Sequence, residues 1–218
     1  LAKSVSKENG VYVDIGTYYG RSADVICQAV KDLPNRQVYT IDNYVGCPSQ
    51  GGTRGDRTIA EQTLSSYKDF CTLVDNDSSL AASDFADESV DFVFMDASHV
   101  YRNTRKDMLT WYPKIKVGGI ISGHDYERRF VHWNFKIKNA LQRVMLTRGE
   151  EDCIELDKSD AQYDYHPDWV QNYHKWPNIS LHHGVVLAVH EIFGEDFEYN
   201  SPMTEHGPTQ VWYKTKTE

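Results

Sequence analysis

The stretch Val11–Val25 reads VYVDIGTYYGRSADV and organises the rest of the chain. A short apolar run ends at Asp14, two glycines follow at Gly16 and Gly20, and a helix-like segment begins near Ser22. This order predicts a strand, a tight turn and a helix N-terminus, where backbone amides can meet the polar end of a ligand. The spacing differs from the G-x-G-x-x-G dinucleotide fingerprint and disfavours a pyrophosphate site. We expect Asp14 to face a crevice, where its carboxylate would repel phosphate and attract an ammonium group.

Length and composition predict a single globular domain, since the chain has 218 residues, of which 40% are hydrophobic and 25% charged. The net charge of −9 disfavours nucleic acid as a partner. No apolar stretch approaches the roughly 20 residues of a membrane helix, and the N-terminal LAKSVSKEN lacks the apolar core of a signal peptide. The four cysteines form no CxxC pair, which predicts free thiols and a cytoplasmic location. Because the first residue is Leu1, we expect a processed chain or a domain from a longer polypeptide, and we leave the oligomeric state open.

Strands and helices alternate over the first 125 residues. After the first strand, further strands are predicted at Val38–Asp42, Cys71–Asp75, Val90–Asp96 and Ile120–Asp125. Helices are predicted at Ser22–Lys31, Thr58–Phe70, Leu80–Phe85 and Asn103–Trp111, with a turn at Lys116–Gly119. This alternation predicts an α/β fold in which right-handed crossovers build a mostly parallel sheet with helices on both faces.

The alternation stops at Glu127–His183, a segment rich in aromatic residues and histidines. We interpret this segment as an inserted lid that recognises the substrate, with one helix near Phe135–Leu146. The chain then returns to regular patterns, with a helix at Gly184–Phe193 and two closing strands at Phe197–Tyr199 and Thr209–Lys214.

Polar residues, most of them acidic, recur where the predicted strands end. They are Asp14, Asp42, Asp77, Asp96 and the pair His124-Asp125. Each one taken alone is equally consistent with a helix cap. Since ligands of open α/β sheets bind outside the carboxyl ends of the strands, the whole set favours one shared ligand site.

Four motifs together carry a resemblance to a known family. They are D-I-G-T-Y-Y-G-R-S, the strand-terminal Asp42, F-V-F-M-D-A-S-H and G-G-I-I-S-G-H-D-Y. In this order they resemble class I S-adenosylmethionine-dependent methyltransferases, and most closely the macrolide-sugar O-methyltransferases of the macrocin and mycinamicin type. The resemblance is more distant to catechol O-methyltransferases. It implies a Rossmann-like fold with a seven-stranded sheet.

The resemblance also implies how the cofactor S-adenosylmethionine would be held. Asp14 and Gly16 would face its methionine end, Asp42 would accept hydrogen bonds from both ribose hydroxyls, and Asp77 and Ser78 would lie beside adenine. The further positions that match the cofactor site are Thr17, Tyr18, Gly20, Ser22, Asn43 and Asp96.

By the same resemblance, Asp96 with the pair His124-Asp125 would hold a divalent metal, Mg²⁺ or Mn²⁺, against the substrate oxygens. His124 stands where an oxygen ligand is more usual, and Mg²⁺ prefers oxygen. His99, three residues after Asp96, resembles the general base of the sugar methyltransferases, with Asp96 and His124 as the competing candidates.

These expectations describe an enzyme that methylates a hydroxyl of a sugar or another small polyol. Methylation of a phenol or catechol is the alternative within the same fold. A non-catalytic nucleoside-binding module is the alternative from another class, and the polar residues at every strand end argue against it. The absence of the middle glycine argues against a nicotinamide oxidoreductase.

Overall fold

A computed structural model describes residues 1–46, 54–126, 154–156, 179–200, 203–204, 207–208 and 211–218. The chain divides into two compact units. The first unit contains Leu1–Ser98, Lys106–Gly123 and Tyr213–Glu218, and the second contains His99–Arg105 and His124–Trp212. The predicted helix at Phe135–Leu146 and most of the predicted lid lie outside the described residues.

Five parallel strands form the sheet of the first unit. They are β1 (Val11–Ile15), β2 (Gln37–Asp42), β3 (Cys71–Asp75), β4 (Val90–Met95) and β5 (Ile115–Gly123). β1 lies between β2 and β4, β3 pairs with the outer side of β2, and β5 pairs with β4. The register pairs Asp14 with Thr40, Asp42 with Asp75, and Met95 with Gly123. The carboxyl ends of these strands therefore share one edge, as the sequence predicts.

The whole sheet has seven strands in the order β3-β2-β1-β4-β5-β11-β8, where β8 is Glu198–Asn200 and β11 is Val211–Thr215. It is a mixed sheet with one antiparallel strand and with helices on both faces. The predicted Rossmann-like fold with a seven-stranded sheet is thus confirmed. Two short antiparallel pairs add β6 (Ile154–Leu156) with β7 (Ile179–Leu181), and β9 (Met203–Thr204) with β10 (Gly207–Pro208).

Helix α1 (Arg21–Val30) follows the glycine turn and packs on the sheet through one face. Ala23, Ile26, Cys27 and Val30 recur at helical spacing and are buried with Tyr12 of β1. The other described helices are α2 (Arg57–Thr63), α3 (Ser78–Ala81), α4 (Tyr101–Trp111) and α5 (His183–Phe193). None of the helices in the described ranges is long and apolar enough to span a membrane.

Two sequence predictions about regular structure are wrong. The predicted turn at Lys116–Gly119 lies inside β5, where Gly118 has φ +80° and the pairing with β4 shifts register. The two glycines therefore make an irregularity within a strand, which glycine permits as readily as a turn. The predicted helix Thr58–Phe70 ends as α2 at Thr63, because Leu64 leaves the helical conformation before a 3₁₀ turn at Ser65–Tyr67.

Asp14 is also not placed as the sequence predicts. β1 continues through Ile15, so Asp14 lies one residue inside the strand and is fully buried. Its side chain is enclosed by the protein and does not face an open crevice. Cys27 and Cys71 are free thiols, as predicted, and both are buried.

Candidate active site

The turn between β1 and α1 can be built only with glycine at its first position. Gly16 has φ +97°, and its amide donates to the Ile41 carbonyl at 2.9 Å. A Cβ on Gly16 would overlap the backbone carbonyl of Asp96. Gly20, with φ +85°, is the N-cap of α1, and its amide donates to the Thr17 carbonyl at 2.6 Å. The turn thus brings the backbone after β1 against the backbone after β4.

Asp14 is the most buried charged group at this turn. Its Oδ2 accepts a hydrogen bond from the Thr40 hydroxyl at 2.7 Å, and the Thr17 hydroxyl lies 2.6 Å from that of Thr40. Its Oδ1 accepts no hydrogen bond from the part of the chain that the structure describes. Burial raises the pKa of Asp14 to about 7, although the Thr40 and Ser22 hydroxyls act in the opposite direction. The site therefore contains a buried carboxyl oxygen that suits a hydrogen-bond donor or a cation.

Asp42, the last residue of β2, is held by two backbone amides. Tyr18 donates to Oδ2 and Tyr44 donates to Oδ1, each at 2.8 Å. Tyr18 has φ +50°, is exposed and packs against Tyr19 with the ring centroids 3.9 Å apart and the ring planes tilted by 39°. Asn43 is exposed and accepts from the Val45 amide at 3.1 Å. The Asp42 carboxylate is thus oriented, while each of its oxygens keeps capacity for a further hydrogen bond.

Asp77 caps α3, because its Oδ1 accepts from the amides of Ser79 and Leu80 at 3.1 and 3.3 Å. Ser78 donates from its hydroxyl to Asp107 of α4, and its carbonyl accepts from the Trp111 indole at 3.1 Å. Burial raises the pKa of Asp107 to about 6, against the hydrogen bond from Ser78. These contacts give both residues structural roles, and their predicted position beside adenine stays a prediction.

In the second unit, three described histidines lie around Asp125. The Asp125 side chain is 9% exposed, and its Oδ2 lies 2.7 Å from His99 Nε2. Its Oδ1 lies 2.9 Å from His124 Nδ1 and 3.5 Å from His182 Nδ1. Burial alone would raise the pKa of Asp125, but the hydrogen bonds from His124 and His99 outweigh it and hold that pKa well below its usual range.

Asp96 follows β4 directly and is exposed, with its amide donating to the Ile15 carbonyl at 2.8 Å. His124 follows β5 directly, and the residues before the two, Met95 and Gly123, are paired across the sheet. The two positions predicted as metal ligands therefore leave adjacent strands at the same level.

Comparison with known proteins identifies the family. A family model described as "Methyltransferase domain" matches residues 13–126, just over half of the chain. The chain belongs to this methyltransferase family. The matched range of the methyltransferase begins in β1 and ends just after Asp125, so it contains every predicted catalytic, metal and cofactor residue.

One relative and several solved structures are also similar to this chain. An uncharacterised protein of Sinorhizobium fredii is 31% identical over 143 residues, covering 62% of this chain, and the chain matches 15% of that protein's length. Among solved structures, cofactor-bound Rv0187 from MTB has a TM-score of 0.60 at 14% identity, with 100% of this chain and 77% of that chain covered. TomG from Streptomyces achromogenes, an O-methyltransferase solved with SAM, has a TM-score of 0.55 at 15% identity, with coverages of 100% and 76%. At such identities the solved structures establish the fold of the methyltransferase.

Sequence reasoning missed three residues of this site. Thr40 had a usable signal, since it lies two residues before the end of β2 and pairs with Asp14 in the parallel register. His182 precedes α5 and reaches Asp125, a partner 57 positions away that no spacing rule indicates. Asp107 of α4 accepts a hydrogen bond from Ser78 of α3, and no spacing rule indicates this pair either.

Proposed function

We propose that this protein transfers a methyl group from S-adenosylmethionine to a hydroxyl of a sugar or another small polyol. Membership of the methyltransferase family supports the reaction. The observation that carries the cofactor assignment is Asp14, a buried carboxyl group with one oxygen that no described residue satisfies. The sugar acceptor rests on the resemblance of the four motifs to sugar O-methyltransferases. The chain matches only a small part of its curated relative, so activity, acceptor and partners of the whole protein belong to this proposal.

The cofactor would lie over the turn between β1 and α1. Its ammonium group suits Asp14 Oδ1, which the binding of the cofactor would have to uncover, because a cation compensates the cost of ionising a buried carboxyl group. Its ribose hydroxyls suit Asp42, whose carboxylate the amides of Tyr18 and Tyr44 already orient. Gly16 and Thr17 would contribute backbone, and the rest of the proposed contact set is Tyr18, Gly20, Ser22, Asn43, Asp77, Ser78 and Asp96.

The proton of the acceptor hydroxyl would go to His99. Asp125 accepts hydrogen bonds only, so His99 presents Nε2–H to it at 2.7 Å and keeps Nδ1 as the basic nitrogen of that tautomer. As the acceptor oxygen attacks, the methyl carbon leaves sulfur, the carbon–sulfur electron pair stays on sulfur, and the hydroxyl proton moves to Nδ1. This is a general base oriented by a carboxylate, an arrangement that recurs on unrelated folds. The buried Asp125 would stabilise the imidazolium that results.

A divalent metal would be held by Asp96, His124 and Asp125. The donors fit such an ion, since Asp96 and His124 leave paired positions of β4 and β5 and Asp125 follows next. Two carboxylates with an imidazole suit Mn²⁺ better than Mg²⁺, which prefers oxygen alone. When bound, the ion would lower the pKa of the acceptor hydroxyl.

The test combines cofactor binding with acceptor screening. Calorimetry should show S-adenosylmethionine binding in the micromolar range, about −8 kcal/mol, and Asp42→Ala should weaken it by about 1.5–3 kcal/mol. Asp75→Ala is the matched control, since Asp75 lies beside Asp42 at the end of β3. Transfer of labelled methyl to glycosides, and not to catechols, would support a sugar acceptor. Binding of NADH in place of S-adenosylmethionine would overturn the cofactor, and methylation of catechols alone would move the acceptor to the phenolic class.

A further inference from the structure

The second unit contains a cluster that the proposed reaction uses only in part. His99 and His182 both reach Asp125, at 2.7 Å to Oδ2 and 3.5 Å to Oδ1. The two imidazole rings meet edge to face, with their centroids 4.6 Å apart. One ligand atom from each of the three residues lies within 4.8 Å of the other two. The three side chains are therefore already converged on a common volume.

The cluster is held within the second unit, where the segment His99–Arg105, which begins α4, contacts α5. A Cβ on Gly184 would overlap the His99 carbonyl, so only glycine lets the start of α5 come this close. Glu191 of α5 accepts hydrogen bonds from Tyr101 and from Arg105 Nε, the latter at 2.9 Å. His182 is the N-cap residue of α5, yet its side chain does not cap the helix. Its imidazole lies toward Asp125 instead.

We propose that His99, Asp125 and His182 form a binding site for a divalent transition-metal ion that prefers nitrogen ligands, with Zn²⁺ as the reference ion. Two imidazoles and one carboxylate are the donors that zinc-type ions favour, whereas Mg²⁺ and Ca²⁺ favour oxygen. Three protein ligands leave further positions for water, as in zinc sites that remain open. The half-buried histidines and the buried carboxylate keep the site partly shielded from solvent.

The ion would also act on the proposed reaction, and this consequence rests on the proposed function. A metal on His99 occupies the imidazole that otherwise accepts the hydroxyl proton. Zinc would therefore inhibit methyl transfer reversibly, and a chelator would restore it. The site of the inhibitory ion differs from the site of the assisting ion at Asp96, His124 and Asp125. His182 belongs only to the inhibitory site, and His124 belongs only to the assisting site.

The first experiment measures metal binding without any methyl transfer. Untagged, metal-stripped protein competes with a chromophoric chelator for Zn²⁺, in the wild type and in His182→Gln, His124→Gln and His190→Gln. His182→Gln should weaken zinc binding at least about tenfold, since even outer-shell changes at metal sites cost 10- to 100-fold. His190→Gln is the matched control on α5, where His190 lies 3.5 Å from Glu195. Comparing the variants with the wild type removes the contribution of the other histidines.

Two outcomes of this experiment overturn the site. Equal zinc affinity in His182→Gln and the wild type removes His182 from it. If His124→Gln loses zinc affinity and His182→Gln does not, the ion binds at Asp96, His124 and Asp125 instead. X-ray absorption of the zinc complex should show two imidazole ligands, and a spectrum of oxygen ligands alone also contradicts the proposal.

The second experiment separates this inference from the proposed function. Methyl transfer is titrated with Zn²⁺ at constant Mn²⁺, and His182→Gln should need at least about ten times more zinc than the wild type for half inhibition. Inhibition at the same zinc concentration in both proteins overturns the inhibitory role. An absence of transfer with every acceptor before zinc is added contradicts the proposed function alone, because the binding comparison stands without it.

Discussion

Asp14 in the first unit and Asp125 in the second are both buried aspartates, and their partners drive them in opposite directions. The Thr40 hydroxyl donates a hydrogen bond to Asp14 and, like the nearby Ser22 hydroxyl, carries no charge, so burial prevails and the pKa of Asp14 rises to about 7. Asp125 has imidazoles, and its pKa falls well below the usual range. Burial acts the same way on both, so the difference comes from the partners. One centre is suited to receive a cation, and the other already has groups that can become cationic.

The largest expected effect is at the Asp125 centre. His99→Gln should lower the turnover of methyl transfer by about 10²–10⁴, because a positioned general base is lost. Its S-adenosylmethionine affinity should stay within about twofold, since the proposed cofactor contacts lie in the first unit. Steady-state kinetics and calorimetry measure the two quantities, with His190→Gln as control. A variant that keeps more than about a tenth of wild-type turnover would move the role of base to Asp96.

The next effect is at the Asp14 centre and depends on pH. A carboxyl group with a raised pKa holds its proton more tightly when folded, so it destabilises the protein as pH rises from about 4 to about 7. Asp14→Asn removes this term, and its free energy of unfolding should exceed that of the wild type at pH 8 by up to about 4 kcal/mol. At pH 4 the two should differ little. Chemical denaturation across this pH range gives the comparison.

Asp91 is the control for this prediction, because its pKa is lowered where that of Asp14 is raised. It is buried, but Lys116 and Lys7 lie 2.6 and 3.0 Å away, and their hydrogen bonds lower its pKa despite burial. Its contribution to stability is present above the unfolded pKa and is lost as pH falls. Asp91→Asn should therefore lose stability mainly at neutral pH. A parallel pH dependence of the Asp14 and Asp91 variants would contradict the account of both.

A smaller effect is expected when the hydroxyl group that donates to Asp14 is removed. Thr40→Val removes the donor to Asp14 and leaves Thr17 without that partner, so the free energy of unfolding should fall by about 1–3 kcal/mol. The pKa of Asp14 should rise further. Thr72→Val is the matched control, because Thr72 is an exposed strand residue of β3. Similar losses in both variants would mean that the hydroxyl of Thr40 does not stabilise Asp14.

The smallest expected effect concerns the ion pair between Lys7, which is partly exposed, and the buried Asp91. The Lys7 side chain is 52% exposed, and Asp91 keeps Lys116 and the Val11 amide when Lys7 is removed. Lys7→Ala should therefore cost at most about 1 kcal/mol, as for other exposed ion pairs. Thermal unfolding at low and high salt measures it. A cost of several kcal/mol would show that Lys7 is needed to keep the Asp91 carboxylate ionised, as the histidines are for Asp125.

Local pattern was enough to predict the sheet and the edge at which its parallel strands end. Apolar runs ending in polar residues located β1 to β4 to within one or two residues, and the alternation with helices predicted their parallel order. The glycine spacing at Gly16 and Gly20 predicted the turn, because a positive φ is a local requirement that only few residues meet. These features depend on neighbours in sequence, and the sequence alone therefore determines them.

Burial and long-range partners were decided only by the tertiary structure. No pattern in VYVDIG distinguishes a carboxylate that faces a crevice from the enclosed Asp14, because its environment comes from β2 and the residues after β4. His99 and Asp125 were predicted separately, one as a base and the other as a metal ligand. Their contact, and the position of His182 beside them, depend on the close approach of the backbone at His99 to Gly184 of α5. The charge of a buried group depends on what surrounds it in space, and packing brings those surroundings from distant parts of the chain.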